Sequence, residues 1–177
     1  DEFVVIFCAR MTKRKRPTDL VLAVSKMENK NIVLLYLGSG PELVEVKRLA
    51  VLHEIKVVTL GFVGQNDLAN YYSIGNLYTI LSEYDASPKS LNEALNFSLP
   101  VIATNKVGTA FDLVKHGENG YIIDSGDCIA LASSIETIYL DKVKAKGMGK
   151  VSLSISDNWT IKKDVEAIEK AINHAFK

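Results

Sequence analysis

Asp85 and Glu93 stand eight residues apart in a mostly polar stretch that separates two apolar runs, 77–81 and 101–103. Ionised carboxylates accept strong hydrogen bonds and so suit sugar hydroxyls. Between them Pro88 marks the first turn of a short helix, where its missing N–H costs nothing. With Ser87 as the N-cap, Glu93 falls on the second helical turn and Asp85 just ahead of the helix N-terminus. The free N–H groups of the first turn, at the positive end of the helix dipole, suit a phosphate. A structural reading competes with this one. Ser90-Leu-Asn-Glu93 matches a capping box, in which Glu93 only ties down the helix start.

A second group of chemical interest is cationic. Arg10, Lys13, Arg14, Lys15 and Arg16 put five positive charges into seven residues. Without them, sixteen basic residues face twenty-one acidic ones. The cluster is therefore local, and the chain is no nucleic-acid coat. It directly follows the first apolar run, at the sheet edge that also carries Asp85, and a cationic loop there suits a diphosphate. The alternatives are a solvated turn or a localisation-type basic run. Gly38-Ser-Gly40-Pro-Glu-Leu43 half-matches a dinucleotide fingerprint, but Leu43 replaces the third glycine and no acid ends the next strand. A tight strand-to-helix turn is enough to explain these glycines.

The elements that must position these groups follow from periodicity. Continuous apolar runs predict strands at 3–9, 32–37, 57–60, 77–81, 101–103 and 121–123. Helical spacing predicts helices at 17–27, ending at Asn29-Lys-Asn31, and at 41–53, 66–73, 88–97 and 110–115. From residue 127 onward the pattern is helical, over 128–140, 142–153 and 159–176. Fully apolar strands alternating with amphipathic helices make an α/β fold, a Rossmann-like parallel sheet of about six strands covered on both faces. Ligands bind such sheets at the carboxyl ends of the strands. Trp159, the only tryptophan, is expected to pack the last helix onto the domain.

With 177 residues, 47% hydrophobic and zero net charge, the chain can form one compact domain spanning 1–177, with a helical tail from about residue 141. No apolar run approaches the ~18 residues of a membrane span. No signal-peptide pattern is expected, because Asp1-Glu-Phe3 runs straight into a strand; an opening of that kind suggests a piece of a longer protein. Cys8 and Cys128 give no disulfide framework and are expected as buried thiols, in keeping with a reducing cytoplasm. His53, His116 and His174 lack metal-ligand spacing and receive no role. Neither a P-loop nor a Ser/His/Asp arrangement is present.

These residues resemble the C-terminal half of GT-B glycosyltransferases of the retaining group 1, or family 4, type. Cys8-Ala-Arg-Met-Thr-Lys-Arg-Lys15 resembles that family's Gly-Arg-Leu…Lys-Gly loop. Leu35-Tyr-Leu-Gly-Ser-Gly-Pro-Glu42 resembles its Gly-x-Gly-Pro turn, and Leu60-Gly-Phe-Val63 the strand end beside the nucleotide base. Asp85-x7-Glu93, followed by Leu99-Pro-Val-Ile-Ala-Thr104, resembles its Glu-x7-Glu signature. Val107-Gly108 and Gly117-Glu-Asn-Gly120 are also similar to family features. The resemblance implies a donor domain that holds a nucleoside diphosphate sugar, with Arg10 and Lys15 gripping the diphosphate. It implies that Glu93 bonds the ribose and that Asp85 meets hydroxyls of the transferred sugar. Gly38, Gly61 and Phe62 would lie along the donor, and the backbone from Ala86 through Ser87, Lys89 and Ser90 to Leu91 would face the sugar and diphosphate.

The resemblance further implies no metal and no other cofactor, since Arg10, Lys15 and the helix N-terminus offset the diphosphate charge. Asp85 stands where the family has glutamate, one methylene longer, and Glu83 is a candidate to share its contact. The acceptor, a glycan, lipid or protein, would bind a missing N-terminal domain, so this chain alone is expected to be inactive. Surface polysaccharide or lipopolysaccharide assembly in the cytoplasm is the implied setting, with association at the inner face of the membrane through that missing half and no nucleic-acid partner. Two other readings remain. A GT-B sugar-nucleotide 2-epimerase lacks the Glu-x7-Glu spacing. A non-catalytic doubly wound regulatory or nucleotide-binding domain shares the fold, because such sheets host many functions.

Overall fold

The computed structural model describes residues 2–28 and 31–176. Six strands among them form one parallel sheet: β1 (Phe3–Cys8), β2 (Ile32–Leu37), β3 (Lys56–Thr59), β4 (Leu77–Ile80), β5 (Val101–Thr104) and β6 (Gly120–Ile123). Their order is β3-β2-β1-β4-β5-β6, and every adjacent pair is parallel. The expected sheet is thus present. Its order reverses between β1 and β4, the doubly wound arrangement whose switch point opens a crevice at the strands' carboxyl ends.

The helices are α1 (Pro17–Val24), α2 (Leu43–Leu52), α3 (Gln65–Tyr72), α4 (Lys89–Asn96), α5 (Ala110–Leu113), α6 (Cys128–Leu140), α7 (Lys142–Ser156) and α8 (Ile161–Ala175). Strand residues alternate between two cores, as a period of two requires. Phe3, Val5 and Phe7 of β1 join α1, α2 and α6 on one face. Ile6, Tyr78 and Ile80 join α3, α4 and α5 on the other. α7 contributes to both, Met148 to the first and Ile155 to the second. The end expected for the first helix at Asn29 and Lys30 lies outside the described residues.

Several expectations are corrected. α2 begins at Leu43 rather than Pro41, because Gly40 to Glu42 make a turn in which the Glu42 N–H donates to the Met11 carbonyl at 3.2 Å. Cys8 and Cys128 are free thiols but only half-buried. Trp159 is 47% exposed, and α8 behind it has no buried residue. α8 carries its apolar side chains, Ile161, Val165, Ile168 and Ile172, on its own exposed surface, so tryptophan packing has nothing to dock. No helix among the described residues is long and apolar enough to cross a membrane.

A chain ending at Asn158 should therefore melt within about 2 °C of the full chain, since an element without buried contacts contributes about 0.5 kcal/mol or less. Thermal denaturation followed by circular dichroism measures this, and a fall of more than about 5 °C would show that α8 supports the domain.

Candidate functional site

The loop after β1 carries the basic cluster and is tied on both sides. Buried Met11 anchors it, with its N–H donating to the Ser39 carbonyl at 2.9 Å. On the other side the Glu83 N–H donates to the Arg14 carbonyl at 2.8 Å, joining this loop to the one after β4. The close approach dictates a residue type. Gly38 has φ 135°, and a Cβ there would lie 2.0 Å from the Ala9 carbonyl oxygen, so only glycine fits. This is the tight turn expected from the glycine pattern.

A 3-10 turn over Lys13–Lys15 ends at Arg16, which takes a left-handed φ of 52° and caps α1. That conformation turns the Arg16 guanidinium onto Asp19 at 2.6 Å and Glu83 at 2.7 Å. The bond to the largely buried Asp19 carboxylate is the main reason the guanidinium is held more firmly protonated than usual. Lys15 turns the other way and pairs with Asp85, with side chains only 14% and 17% exposed.

Asp85 is held by the loop after β5. Its N–H donates to the Lys106 carbonyl at 3.2 Å, and its carbonyl accepts from the Gly108 N–H at 2.8 Å. A Cβ at Gly108 would sit 2.5 Å from the Ala86 carbonyl oxygen, so this glycine permits the two loops to touch. α4 starts at Lys89 with Pro88 as its N-cap, not Ser87, and no side chain caps it. Proline supplies the required extended backbone itself, at φ −72° and ψ 120°. The capping box does not form either. Ser90 accepts a bond from the Tyr78 hydroxyl at 2.7 Å, and Glu93 accepts one from the Tyr72 hydroxyl at 3.0 Å. The first-turn N–H groups of Lys89 and Ser90 have no acceptor among the described residues, whereas the Leu91 N–H donates to the Pro88 carbonyl.

A cavity of about 460 Å³ opens between the β1 and β2 loops, lined among others by Cys8, Arg10, Gly38, Phe62, Val63 and Leu68. Cys8 in its lining neighbours Tyr72, whose hydroxyl donates to the Glu93 carboxylate at 3.0 Å. Burial pushes the Cys8 thiol up, partly opposed by the Tyr72 hydroxyl, so it stays protonated at neutral pH. Burial likewise raises the Tyr72 and Tyr78 hydroxyls far above their ordinary range, leaving neutral donors and not acid–base groups. A larger cleft, about 730 Å³, lies at the opposite end of the strands and touches neither Asp85 nor Glu93.

The residues singled out in the sequence thus fall into linked groups. Arg10, Gly38 and 85%-exposed Phe62 share the cavity. Gly61 does not line it but is tied to Gly38, its carbonyl accepting from the Gly38 N–H at 2.7 Å. Lys15 meets Asp85, and Glu83 is committed to Arg16. Ala86, Ser87 and Lys89 are exposed on the rim, whereas the Leu91 side chain is core. Sequence reasoning missed Tyr72, Tyr78 and the Arg16 link from the start of α1 to Glu83, since these contacts span 12 to 67 residues and have no local signal. No group of three or more metal-ligating side chains converges among the described residues.

A doubly wound sheet with cations, carboxylates and free N–H groups at its switch point defines a Rossmann-like domain with a charged ligand edge. The pattern of the glycosyl transferases group 1 matches residues 1–152, and the chain belongs to that family. It is 30% identical over 152 residues to the N-acetyl-alpha-D-glucosaminyl L-malate synthase of Bacillus anthracis, covering 84% of this chain and 39% of that protein. To the capsular polysaccharide biosynthesis glycosyltransferase CapM of Staphylococcus aureus it is 29% identical over 154 residues, 84% of this chain and 40% of that protein. The chain therefore spans about 40% of the length of these relatives. Among solved structures, Anabaena HepE in complex with UDP superposes with a TM-score of 0.88 at 21% identity, over 98% of this chain and 49% of that one. The fold is that of a GT-B glycosyltransferase domain.

Replacing Arg16 with alanine should lower stability by about 2 to 3 kcal/mol, because it leaves the Asp19 carboxylate largely buried and unpaired. Arg14→Ala, on an exposed side chain, should change it by less than about 0.5 kcal/mol. Urea denaturation of both variants tests the contrast; equal losses would remove the bridging role.

Proposed function

We propose that this chain is the nucleotide-sugar donor domain of a retaining glycosyltransferase, and that it acts in surface polysaccharide or lipopolysaccharide assembly. The observation that carries the reading is the meeting of Lys15 and Asp85 at the switch point, beside the free N–H groups of α4. Cation, carboxylate and helix N-terminus suit three parts of one ligand: diphosphate, sugar hydroxyl and phosphate oxygen. Relatives support the class. The Anabaena HepE structures hold UDP, and UDP with glucose, and CapM is named for capsular polysaccharide biosynthesis.

In this reading Arg10 and Lys15 stabilise the negative charge that develops on the leaving diphosphate, with the Lys89 and Ser90 N–H groups adding to them. No metal is required for that neutralisation. Glu93 holds the ribose, Asp85 orients the transferred sugar, and Phe62 covers the base side of the cavity. The work is positioning and charge stabilisation while an acceptor held on a second domain attacks the anomeric carbon with retention. That second domain would bind the acceptor glycan, lipid or protein and could bring the enzyme to the inner face of the membrane.

Calorimetric titration with UDP, GDP, ADP and CMP tests the reading. One diphosphate should bind selectively, and binding should be lost in Glu93→Ala and Arg10→Ala. Lys15→Ala should weaken diphosphate binding about 10-fold or more, and Lys13→Ala by less than about 2-fold, since the Lys13 side chain is exposed and has no acidic partner among the described residues. Equal effects would sink the Arg10–Lys15 assignment. A folded chain that binds none of these nucleotides would favour the non-catalytic domain.

A further inference from the structure

Glu93 projects from the second turn of α4, and its side chain has three torsions to fix before it can hold a ligand. One oxygen is already held. Tyr72, the last residue of α3, donates its hydroxyl proton to Glu93 Oε2 at 3.0 Å across 21 residues of sequence. The tyrosine itself cannot move easily. It is 0% exposed, stacks on Phe97 with centroids 5.5 Å apart and planes at 15°, and meets Tyr78 at 6.1 Å. Glu93 Oε1 accepts no hydrogen bond among the described residues. One carboxylate oxygen is therefore pinned from below and the other is left for whatever enters the crevice.

We propose that Tyr72 is the positioning residue for Glu93 and that the pair makes this site select ribose over sugars lacking its 2′ and 3′ hydroxyls. The inference rests on the donor-domain reading. Its physical basis is pre-organisation. A carboxylate fixed before binding loses no rotamer freedom when the ligand arrives, so its bond to a hydroxyl is expressed more fully in affinity. A site built around such an acceptor discriminates against a ligand without the hydroxyl, because the half-buried Glu93 oxygen is then left unpaired under the ligand. The Tyr72 hydroxyl remains a neutral donor throughout the physiological range, since burial holds its proton firmly. Tyr78 acts in parallel one turn earlier, donating to Ser90 at 2.7 Å and fixing the start of the same helix.

The test is a calorimetric comparison of UDP, GDP and ADP with the 2′,3′-dideoxy form of whichever binds, using the wild-type chain and Tyr72→Phe. Phenylalanine keeps the ring stacking and removes only the donor. The ribose preference should fall about 3- to 10-fold, while affinity for the dideoxy nucleotide stays within about 2-fold. In a Glu93→Gln background the same substitution should change the preference by less than about 2-fold, because the two residues act as a unit. Equal weakening of both nucleotides would assign Tyr72 a purely structural role and overturn the inference, as would an unchanged preference. If Tyr72→Phe fails to fold, the unmodified chain still decides. The Tyr72 hydroxyl proton resonance should shift with the ribonucleotide and stay in place with its dideoxy form, and the absence of that difference would overturn the proposal. A folded wild-type chain that binds no nucleoside diphosphate would instead remove the donor-domain reading, and this inference with it.

Discussion

Between β1 and β4 the sheet reverses its winding, and the site depends on that reversal. The chain leaving β1 turns to α1 on one face, while the chain leaving β4 turns to α4 on the other. Their loops part above the middle of the sheet instead of closing over it. Groups some 70 residues apart, Lys15 and Asp85, then meet at one place. The Arg14–Glu83 backbone bond ties the two loops at their base and sets how far they can separate. Cys8 of β1 and Leu37 of β2 line the cavity, so the sheet's register, Cys8 beside Leu37, bears directly on its geometry.

Charge is balanced within the crevice as it stands. Lys15 answers Asp85, and Arg16 answers both Asp19 and Glu83. These two arrangements differ in kind. Arg16 joins the start of α1 to the loop after β4 and also pairs a largely buried acid, Asp19, so breaking it strands that acid. The Lys15–Asp85 pair is single and largely buried, its side chains 14% and 17% exposed. Attraction and desolvation nearly cancel for such a pair. An incoming ligand that brings its own anion and hydroxyls can therefore take Lys15 and Asp85 as separate partners at little net cost. In the proposed reading a sugar diphosphate is such a ligand, and the pair marks where its charged and neutral halves divide.

The sheet was legible because its strands are buried on both faces. Runs such as Ile32 to Leu37 need no alternation and read directly as strands. The edge location of the basic cluster and of Asp85 followed from the same argument. What escaped were the particular side-chain contacts between residues distant in sequence. Ser90 and Glu93 have the spacing of a capping box, yet two buried tyrosines, 12 and 21 residues away, take those side chains for themselves. A tyrosine in a helix reads as core whether or not its hydroxyl has a partner. Trp159 was misplaced for the converse reason. Aromatic character predicts burial only if some surface is available to bury it, and α8 offers none within the described chain.

The restraints on the site grade from one end to the other. Glu93 lies on a helix and is bonded from below by a fully buried ring. Asp85 lies on a loop, but its N–H and carbonyl are both held by the strand-end loop beside it, at a contact that only glycine at position 108 allows. Arg10 is exposed, and nothing among the described residues bonds its guanidinium. Rigidity belongs where a ligand must be registered, because a misplaced anchor displaces every atom beyond it. Mobility is tolerable where charge is to be met, since Coulomb attraction varies gently with distance compared with a directional hydrogen bond. A donor held at its ribose by Glu93 and met at its diphosphate by Arg10 and Lys15 would use this gradient in that order, anchored first at the stiff end and neutralised at the adaptable one.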